Sequence, residues 1–385
     1  MKKIGRFLLS LLLILSLCLP SFAEDEPPEG LSARAYALVE LDSGKLIAAK
    51  NEDEPRPMAS TTKIMTALLA IESGRLDEIV TVTDSDVRVE GSSLSLRAGD
   101  EMTLLDMTRG MMAVSGNDAA HTIARFLSGS DKAFAEQMNA RAEKIGMKST
   151  HFANPHGLPD ETHYSTAADM ALLTVEALKN PIFCDIVSAY HTAITYKTSV
   201  LGYKTRKLKN SNQLLCTVEG CIGVKTGYTT KAGHCLVSAV KRDGAGVVCV
   251  VMKAPDFWAD STALLEYGMK QVCYADVVTE PFTYELNVVG GGKSAVRVQN
   301  LSYLSGSMLK KDCEKMEIVT TLPRFVYAPV KAGDKVGEVA VFVDGERLAY
   351  IPLVAAEDVD RLSASEGMKI NLLELLQNNL KWLFY

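Results

Sequence analysis

Several features that would indicate a metal, a cofactor or a nucleic-acid ligand are missing from this sequence. It has no C-x-x-C pair and no G-x-S-x-G motif, and its histidines follow no zinc-binding spacing. The 385 residues carry 41 basic and 47 acidic side chains, and the net charge of -6 gives no reason to expect nucleic-acid binding. We therefore expect no metal, no cofactor, no nucleic-acid partner and no hydrolase of the Ser-His-Asp type.

Cysteine is too sparse for a small disulfide-stabilised scaffold. One of the eight cysteines lies in the N-terminal segment, and the other seven are scattered at positions 184, 216, 221, 235, 249, 273 and 313. Apolar neighbours predict buried thiols at Cys184, Cys235 and Cys249. Cys216 and Cys221 are close enough in sequence to form a bridge, and the residues alone do not decide whether they do.

The N-terminal segment has the three parts of a secretory signal. Lys2, Lys3 and Arg6 are basic, residues 7–19 are apolar but too short to span a membrane comfortably, and a small-x-small cleavage site follows. We expect residues 1–23 to be a cleaved signal peptide, with an uncleaved anchor as the alternative. The mature protein would then work outside the cytoplasmic membrane.

The pattern of residues 33–277 predicts one α+β domain. An apolar hairpin at 35–49 opens the segment, amphipathic helices fill its middle, and the buried-type strands 235–240 and 247–252 close it. Strands that bracket a helical cluster predict an antiparallel sheet built from both ends of the segment. The apolar content of 47% is sufficient for a large core.

Three further segments flank that domain. Residues 24–32 are acidic and proline-rich, which predicts a flexible leader, and residues 278–357 read as short strands with glycine turns, which predicts a small all-β domain. The tail, 358–385, contains an amphipathic helix at 366–385 with an apolar face of leucines and terminal aromatic residues. We expect it to lie in a membrane surface; the alternative is packing on the β domain or on a second copy.

A Ser-x-x-Lys motif at Ser60 and Lys63 opens the first strong helix of the domain. The spacing places both side chains on one face, and the start of a helix offers free N–H groups and positive dipole character. This geometry suits a nucleophilic serine with a lysine base. The motif alone is weak, because it recurs by chance at Ser307 and Lys310.

Two other short motifs follow in the chain. Ser115-Gly116-Asn117 lies between two predicted helices, in a tight turn that glycine at 116 would permit, and Lys225-Thr226-Gly227 lies in a strand region. Each alone is uninformative. Together with Ser60-x-x-Lys63, and in this order, they resemble the signature set of penicillin-binding proteins and class A β-lactamases. The middle motif has glycine where lactamases usually have aspartate, a variant that is common in the carboxypeptidase branch.

With these motifs the sequence resembles the low-molecular-mass penicillin-binding proteins, which are serine-type D-alanyl-D-alanine carboxypeptidases. The stretches 152–158, 210–215 and 225–233 support this subgroup. The resemblance covers residues 33–275 well and the small β domain more loosely. It implies a penicillin-binding-protein/β-lactamase-like serine transpeptidase domain, followed by the all-β domain and the C-terminal helix.

The resemblance also implies roles for individual residues. Ser60 would attack the bond between two terminal D-alanines, Lys63 would act as general base, and Ser115 would relay a proton to the leaving amine. Asn117 would hold the substrate's peptide group, and Lys225 would receive the terminal carboxylate.

Four more residues complete the implied site. Thr226 and Gly227 belong to the carboxylate-binding strand, and the Tyr228 N–H would form an oxyanion hole with that of Ser60. His156 could line the site near Lys225, although a structural role for it is the alternative.

The expected function is removal of the terminal D-alanine from peptidoglycan pentapeptide stems, with β-lactams as covalent inhibitors. A D,D-endopeptidase or a transpeptidase would cut the same type of bond. A β-lactamase would need a deacylating glutamate, for which Glu161 is the sole nearby candidate, and Ser165 stands where that loop should carry asparagine. A non-catalytic penicillin-binding scaffold is the remaining alternative.

Overall fold

The structure is a computed structural model that describes residues 26–198 and 201–363. The predicted signal peptide and the predicted tail helix lie outside these residues. Within them, strands bracket a helical cluster, and a separate β unit follows. The predicted α+β class is confirmed for this part of the chain.

The central sheet has five antiparallel strands. They are β1 (Ala35–Glu40), β2 (Leu46–Lys50), β7 (Cys221–Thr229), β8 (Gly233–Arg242) and β9 (Ala245–Met252). Their spatial order is β2-β1-β9-β8-β7. The two ends of the domain thus meet where β1 pairs with β9, and β7, which carries the Lys-Thr-Gly motif, forms one edge.

Both faces of this sheet are buried. Along β1, Ala35, Ala37 and Val39 pack into one hydrophobic core, whereas Tyr36 and Leu38 pack into another. Successive side chains of a strand point to opposite faces, so a strand covered on both sides must be apolar throughout. This explains why the strands read as continuous apolar runs rather than as alternating patterns.

Helices cover the two faces. The longest helix of one face, α8 (Phe257–Gln271), packs against β8 and β9. On the other face lies the helical cluster: α1 (Lys63–Glu72), α2 (Leu104–Val114), α3 (Asn117–Ser128), α4 (Asp131–Ile145), α5 (Ala167–Leu178) and α6 (Pro181–Ser188). Thr103 caps the N-terminus of α2, because its hydroxyl accepts a hydrogen bond from the Asp106 N–H at 3.1 Å.

A second, four-stranded sheet flanks the helical cluster. Its strands are β3 (Ile79–Thr81), β4 (Glu101–Thr103), β5 (His191–Thr198) and β6 (Gly202–Lys209), in that spatial order. The one-turn helix α7 (Leu214–Thr217) then connects this sheet to β7. Residues 94–96 lie in the irregular loop between β3 and β4.

The C-terminal unit is built almost entirely of strands. A two-stranded ribbon, β10 (Val272–Val278) with β13 (Leu304–Leu309), connects it to α8. The six-stranded sheet contains β11 (Thr283–Val289), β12 (Ala295–Asn300), β14 (Met316–Thr321), β15 (Phe325–Tyr327), β16 (Lys335–Val343) and β17 (Glu346–Ala355). One short helix, α9 (Lys310–Glu314), interrupts the strands.

The Ser-x-x-Lys motif at Ser307 and Lys310 joins the two units. Ser307 is buried, and its hydroxyl accepts from the Gly246 N–H at 3.0 Å and donates to the Gly246 carbonyl at 3.3 Å. Its own N–H donates to the Asp42 carboxylate at 2.8 Å. Ser307 is therefore a contact of the interface between the units. No helix in the described residues is both long and apolar enough to cross a membrane.

Candidate active site

Ser60 lies in a 3-10 turn formed by Ala59–Thr62, and Lys63 follows this turn as the first residue of α1. Side chains three residues apart eclipse one another in a 3-10 helix, so the turn aligns the two residues. The Lys63 Nζ lies 2.9 Å from the Ser60 Oγ. Ser60 is half-buried, whereas Lys63 is completely buried. The predicted pairing of these side chains is what the structure shows.

The Lys63 amine has three oxygen neighbours. Besides the Ser60 Oγ, it donates to the Asn117 Oδ1 at 2.7 Å and to the backbone carbonyl of His156 at 2.7 Å. Burial lowers the pKa of Lys63 well below its usual value, and the nearby positive charge of Lys225 lowers it further, whereas Asp118 opposes the shift. The environment therefore favours a neutral amine.

The arrangement of these neighbours determines where a neutral amine directs its lone pair. The Asn117 Oδ1 and the His156 carbonyl can only accept, so each of them takes one of the two N–H groups. Of the three neighbours, Ser60 alone has a hydrogen to give. The lone pair then faces the Ser60 hydroxyl, which is the orientation that a general base needs.

The Ser-Gly-Asn turn is tight because of its serine, and our assignment of this role to Gly116 was wrong. Ser115 ends α2 in the left-handed conformation, with φ 63°, whereas Gly116 has φ -60°. Glycine is needed at 116 for space, because a Cβ there would lie 2.8 Å from the Leu94 backbone nitrogen. Ser115 is 9% exposed, and its hydroxyl makes no hydrogen bond within residues 26–198 and 201–363.

Asn117 begins α3, and its amide is held on both sides. The Oδ1 accepts from Lys63, and the Nδ2 donates to the Glu90 carbonyl at 2.7 Å. In the structure, Asn117 therefore positions the lysine amine, and one N–H of its amide stays available.

Asp118, which the sequence analysis did not single out, fixes the neighbouring loop. Its buried carboxylate accepts from the Ser93 hydroxyl at 2.6 Å and from the N–H groups of Leu94 and Leu96 at 2.8 and 3.2 Å. Those N–H groups would otherwise be available to a partner strand, which explains why 94–96 is not a strand. An acid directly after a catalytic motif could have indicated such a role.

Strand β7 brings the third motif to the same place. Lys225 is 1% exposed, and burial lowers its pKa to about 7. Its Nζ donates to the Thr226 carbonyl at 3.0 Å, and the Thr226 Oγ1 lies 2.9 Å from the Ser211 Oγ. The strand passes very close to the 3-10 turn at Gly227, where a Cβ would lie 3.0 Å from the Ser60 backbone nitrogen.

Tyr228, the residue after Gly227, lies at the rim of the site. Tyr228 is 59% exposed and lines an open cleft of about 570 Å³. The cleft is also lined by Glu90, Gly91, Leu158, Pro159, Thr229, Thr230 and Lys231. Glu90 is the residue whose carbonyl holds Asn117, so the cleft adjoins the motif residues.

His156 contacts the site through its backbone. Its carbonyl accepts from Lys63, while its buried ring accepts the Leu158 N–H at Nδ1, 3.2 Å away. Burial lowers the pKa of His156 to about 3, and the charges of Lys63, His163 and His121 lower it in the same direction. The structure thus places a neutral His156 in a positioning role, with its carbonyl near Lys63, in place of the side-chain contact near Lys225 that we considered.

His163 supports the 3-10 turn, and sequence reasoning missed it. Its Nδ1 accepts from the Ala153 N–H at 3.0 Å, so its Nε2 carries the hydrogen that faces the Thr62 Oγ1 at 2.8 Å. Thr62 in turn donates to the Ala59 carbonyl at 2.8 Å. No motif contains His163, and its partner lies 101 residues away, so only the fold reveals the contact.

Glu161, the candidate deacylating acid, is exposed on the surface. The Ser165 hydroxyl, which replaces the asparagine of that loop, is 2.7 Å from the Thr150 hydroxyl. The structure therefore offers no support for Glu161 as a base beside Ser60.

Comparison with known families gives two matches. The D-alanyl-D-alanine carboxypeptidase family matches residues 21–256, and the penicillin-binding protein 5 C-terminal domain matches residues 276–361. D-alanyl-D-alanine carboxypeptidase DacF of Bacillus subtilis is 32% identical over 380 residues, which are 94% of this chain and 95% of that protein. D-alanyl-D-alanine carboxypeptidase DacB2 of Mycobacterium tuberculosis is also 32% identical. Its alignment covers 63% of this chain and 83% of that protein.

Solved structures give the same picture. Penicillin binding protein 5 from Haemophilus influenzae has a TM-score of 0.66 and 27% identity, covering 87% of this chain and 99% of that one. The Streptomyces K15 DD-transpeptidase has a TM-score of 0.61 and 30% identity, covering 64% of this chain and 99% of that one. The second similarity is confined to about two thirds of the chain, whereas the first extends over most of it.

The buried His163 predicts an acid-dependent loss of stability. Burial lowers its pKa to about 4, so the unfolded chain binds a proton near pH 6.5 that the folded chain binds only near pH 4. The contribution of His163 to the unfolding free energy is therefore fully present above pH 6.5 and is lost as the pH drops towards 4. We expect His163→Gln to remove about 2 kcal/mol of the difference in unfolding free energy between pH 7 and pH 5.

Urea denaturation at the two pH values measures this difference. The matched control is His151→Gln, because His151 is exposed and should leave the pH dependence as it is in the parent. An unchanged pH dependence in His163→Gln would contradict the assignment.

Proposed function

The chain belongs to the D-alanyl-D-alanine carboxypeptidase family, and we propose that Ser60 is the nucleophile of its reaction. It is accordingly a serine hydrolase of the penicillin-binding-protein type, with peptidoglycan as its substrate. The observation that carries the assignment is the 2.9 Å contact between the Ser60 Oγ and the buried Lys63 amine. Both side chains are present and paired, which argues against a non-catalytic scaffold.

The first step is attack of the Ser60 Oγ on the carbonyl between the two terminal D-alanines. Neutral Lys63 accepts the hydroxyl proton, since its N–H groups are occupied by Asn117 and His156. The developing oxyanion is stabilised by the backbone N–H groups of Ser60 and Tyr228, which the side-chain-free Gly227 allows to approach each other.

The second step releases D-alanine. The Ser115 hydroxyl, which has no partner among the described residues, passes a proton from Lys63 to the departing amine. Lys225 supplies a cation and Thr226 a hydroxyl for the terminal carboxylate, which restricts the enzyme to free C-termini. Water then hydrolyses the ester between Ser60 and the remaining stem peptide.

Two related reactions use the same bond. An endopeptidase would cut a crosslinked stem, and a transpeptidase would pass the acyl group to an amine. The solved DD-transpeptidase matches this chain over nearly all of its own length. Similarity of fold therefore does not separate these reactions, and the products must.

We expect Ser60→Ala to abolish both covalent labelling by a fluorescent penicillin and release of D-alanine from a muramyl pentapeptide. The reason is that no other group of the site can form the ester. Mass spectrometry of the products measures the second effect: loss of one alanine identifies a carboxypeptidase, and cleavage of a crosslinked dimer identifies an endopeptidase.

The control for this variant is Ser307→Ala, which removes the serine of the Ser-x-x-Lys motif at Ser307 and Lys310. It should keep labelling and alanine release. Labelling that persists in Ser60→Ala would overturn the assignment of the nucleophile.

The lowered pKa of Lys225 predicts how activity depends on pH. The free enzyme loses the Lys225 charge as the pH rises through about 7, so kcat/KM should fall above that pH because carboxylate binding weakens. A bound carboxylate restores the charge, so kcat should fall less. Lys225→Arg keeps its charge at all these pH values, and we expect its kcat/KM to lose the alkaline fall.

Steady-state kinetics from pH 6 to about pH 9 test this expectation. The control is Lys231→Arg, since Lys231 is an exposed lysine of the cleft and its variant should keep the alkaline fall. Penicillin labelling of Lys225→Arg near pH 6 verifies that the site still folds. If kcat/KM of Lys225→Arg still fell at alkaline pH with the midpoint of the parent, the role of Lys225 in binding the carboxylate would be refuted.

We also propose that the enzyme is secreted and held at the outer face of the cytoplasmic membrane by residues 366–385. The support is the amphipathic pattern of this segment in the sequence. A chain that stops after Ser365 should move from the membrane fraction to the soluble fraction. Asn378→Ser, on the polar face, should leave the fractionation unchanged. A truncated chain that stays with the membrane would exclude this anchor.

A further inference from the structure

Two cysteines meet where the C-terminal unit leaves the catalytic domain. Cys273 is the second residue of β10, directly after α8, and Cys313 lies in α9, directly after β13. Because β10 pairs with β13, Cys273 stands opposite Met308, one short helix away from Cys313. Their sulfur atoms are 2.6 Å apart, although 40 positions separate the residues in sequence.

This separation is much shorter than nonbonded packing allows. Carbon atoms pack at about 3.5–4.0 Å, and sulfur is larger than carbon. A disulfide bond of about 2.05 Å requires a shift of only about 0.5 Å. Both side chains are half-buried. We propose that Cys273 and Cys313 form a disulfide bond in the mature protein.

The remaining cysteines have other surroundings. Cys235 and Cys249 are buried in the cores on the two faces of the central sheet, and the Cys184 thiol donates to the Leu178 carbonyl at 3.0 Å. Cys221 contacts the Gly223 carbonyl, and Cys216 is exposed. Within the described residues, the bridge considered from sequence between Cys216 and Cys221 shows no sulfur–sulfur contact.

Formation of the bond is an exchange with an external disulfide. One cysteine thiolate attacks the disulfide of a thiol–disulfide oxidant, which forms a mixed disulfide and releases one thiol of the oxidant. The other cysteine thiolate then attacks the mixed disulfide, which forms the bond between Cys273 and Cys313 and releases the second thiol of the oxidant. The two thiols lose two electrons and two protons, and the oxidant is reduced to two thiols. Such oxidants act outside the cytoplasm, so this step rests on the proposed secretion of the enzyme.

The surroundings of Cys313 favour retention of the bond once it has formed. Burial raises the pKa of this thiol to about 12, and Cys273, Asp312 and Glu314 contribute to the shift. A thiol of high pKa is a poor leaving group in exchange, so reducing agents release it slowly. The bond therefore has the character of a structural link.

The link would reinforce the contact between the two units. Next to Cys313, Asp312 forms an ion pair with Lys45 of the catalytic domain at 2.7 Å. On β13, Ser307 binds Asp42 and Gly246 of the same domain. A bond from α9 to β10 therefore fixes the helix that carries one side of the interface.

Peptide mapping without reduction tests the proposal. The full chain is treated with oxidised glutathione, alkylated and digested with trypsin, which cuts after lysine and arginine. Cys273 then lies in peptide 271–293 and Cys313 in peptide 312–315. We expect these two peptides to appear joined, with a mass two hydrogens below their sum. The proposal is overturned if both carry the alkyl group, or if Cys273 is joined to another peptide.

The same digest distinguishes the other bridge. Cys216 and Cys221 share peptide 210–225, so a bond between them would change the mass of a single peptide and join nothing. Because mapping requires no activity, its outcome is independent of the assignment of Ser60 as nucleophile.

Variants measure what the bond contributes. Cys273→Ser and Cys313→Ser should each lower the melting temperature of the oxidised protein by about 5–15 °C, because the bond closes a loop of about 40 residues. The control Cys216→Ser should not. In the reduced protein, the parent should melt close to the two variants. If the melting temperatures of parent and variants differed by the same amount in the oxidised and in the reduced protein, the proposal would be overturned, since the difference would reflect packing alone.

Discussion

The contact between the Lys63 amine and its three oxygen neighbours is the interaction on which the rest of the active site depends. Each neighbour comes from a different part of the fold: Ser60 from the 3-10 turn, Asn117 from the start of α3, and His156 from the loop before α5. Two of them accept only, so the third faces the lone pair of the neutral amine. The fold, rather than the four-residue motif, thus orients the lysine that we propose as the base.

Burial of two lysines has a cost that the fold must offset. A cation loses hydration in the interior, and both Lys63 and Lys225 respond with lowered pKa values. The central sheet is apolar on both faces and carries one core on each side, which provides the stability needed to hold such groups. The same burial keeps the Lys63 amine neutral and able to accept a proton, whereas an exposed lysine would be a solvated cation.

The sequence was sufficient to predict the family and its chemistry, but it did not predict the contacts between distant segments. Three short motifs in the right order were sufficient to identify the family and the α+β fold, because helix starts and buried strands have strong local signals. Contacts between distant segments have no such signal. His163 with Thr62, Glu90 with Asn117 and Cys273 with Cys313 join residues between 27 and 101 positions apart.

The left-handed conformation of Ser115 escaped prediction for a different reason. The neighbouring glycine is the residue type that usually adopts it, so the local rule pointed to the wrong position. Tertiary packing decides here, because Leu94 leaves no room for a side chain at 116.

Two of the Ser-x-x-Lys motifs in this chain, at Ser60 and at Ser307, show why a motif needs its surroundings. Ser60 and Ser307 both precede a lysine by three residues. At Ser307 the hydroxyl is occupied by the backbone of Gly246, and Lys310 is exposed to solvent. At Ser60 the lysine is buried, and the oxygens around it leave its lone pair directed at the serine. The same motif thus forms an interface contact at Ser307 and the proposed nucleophile with its proposed base at Ser60, and the difference lies in burial and in the hydrogen bonds that each hydroxyl already makes.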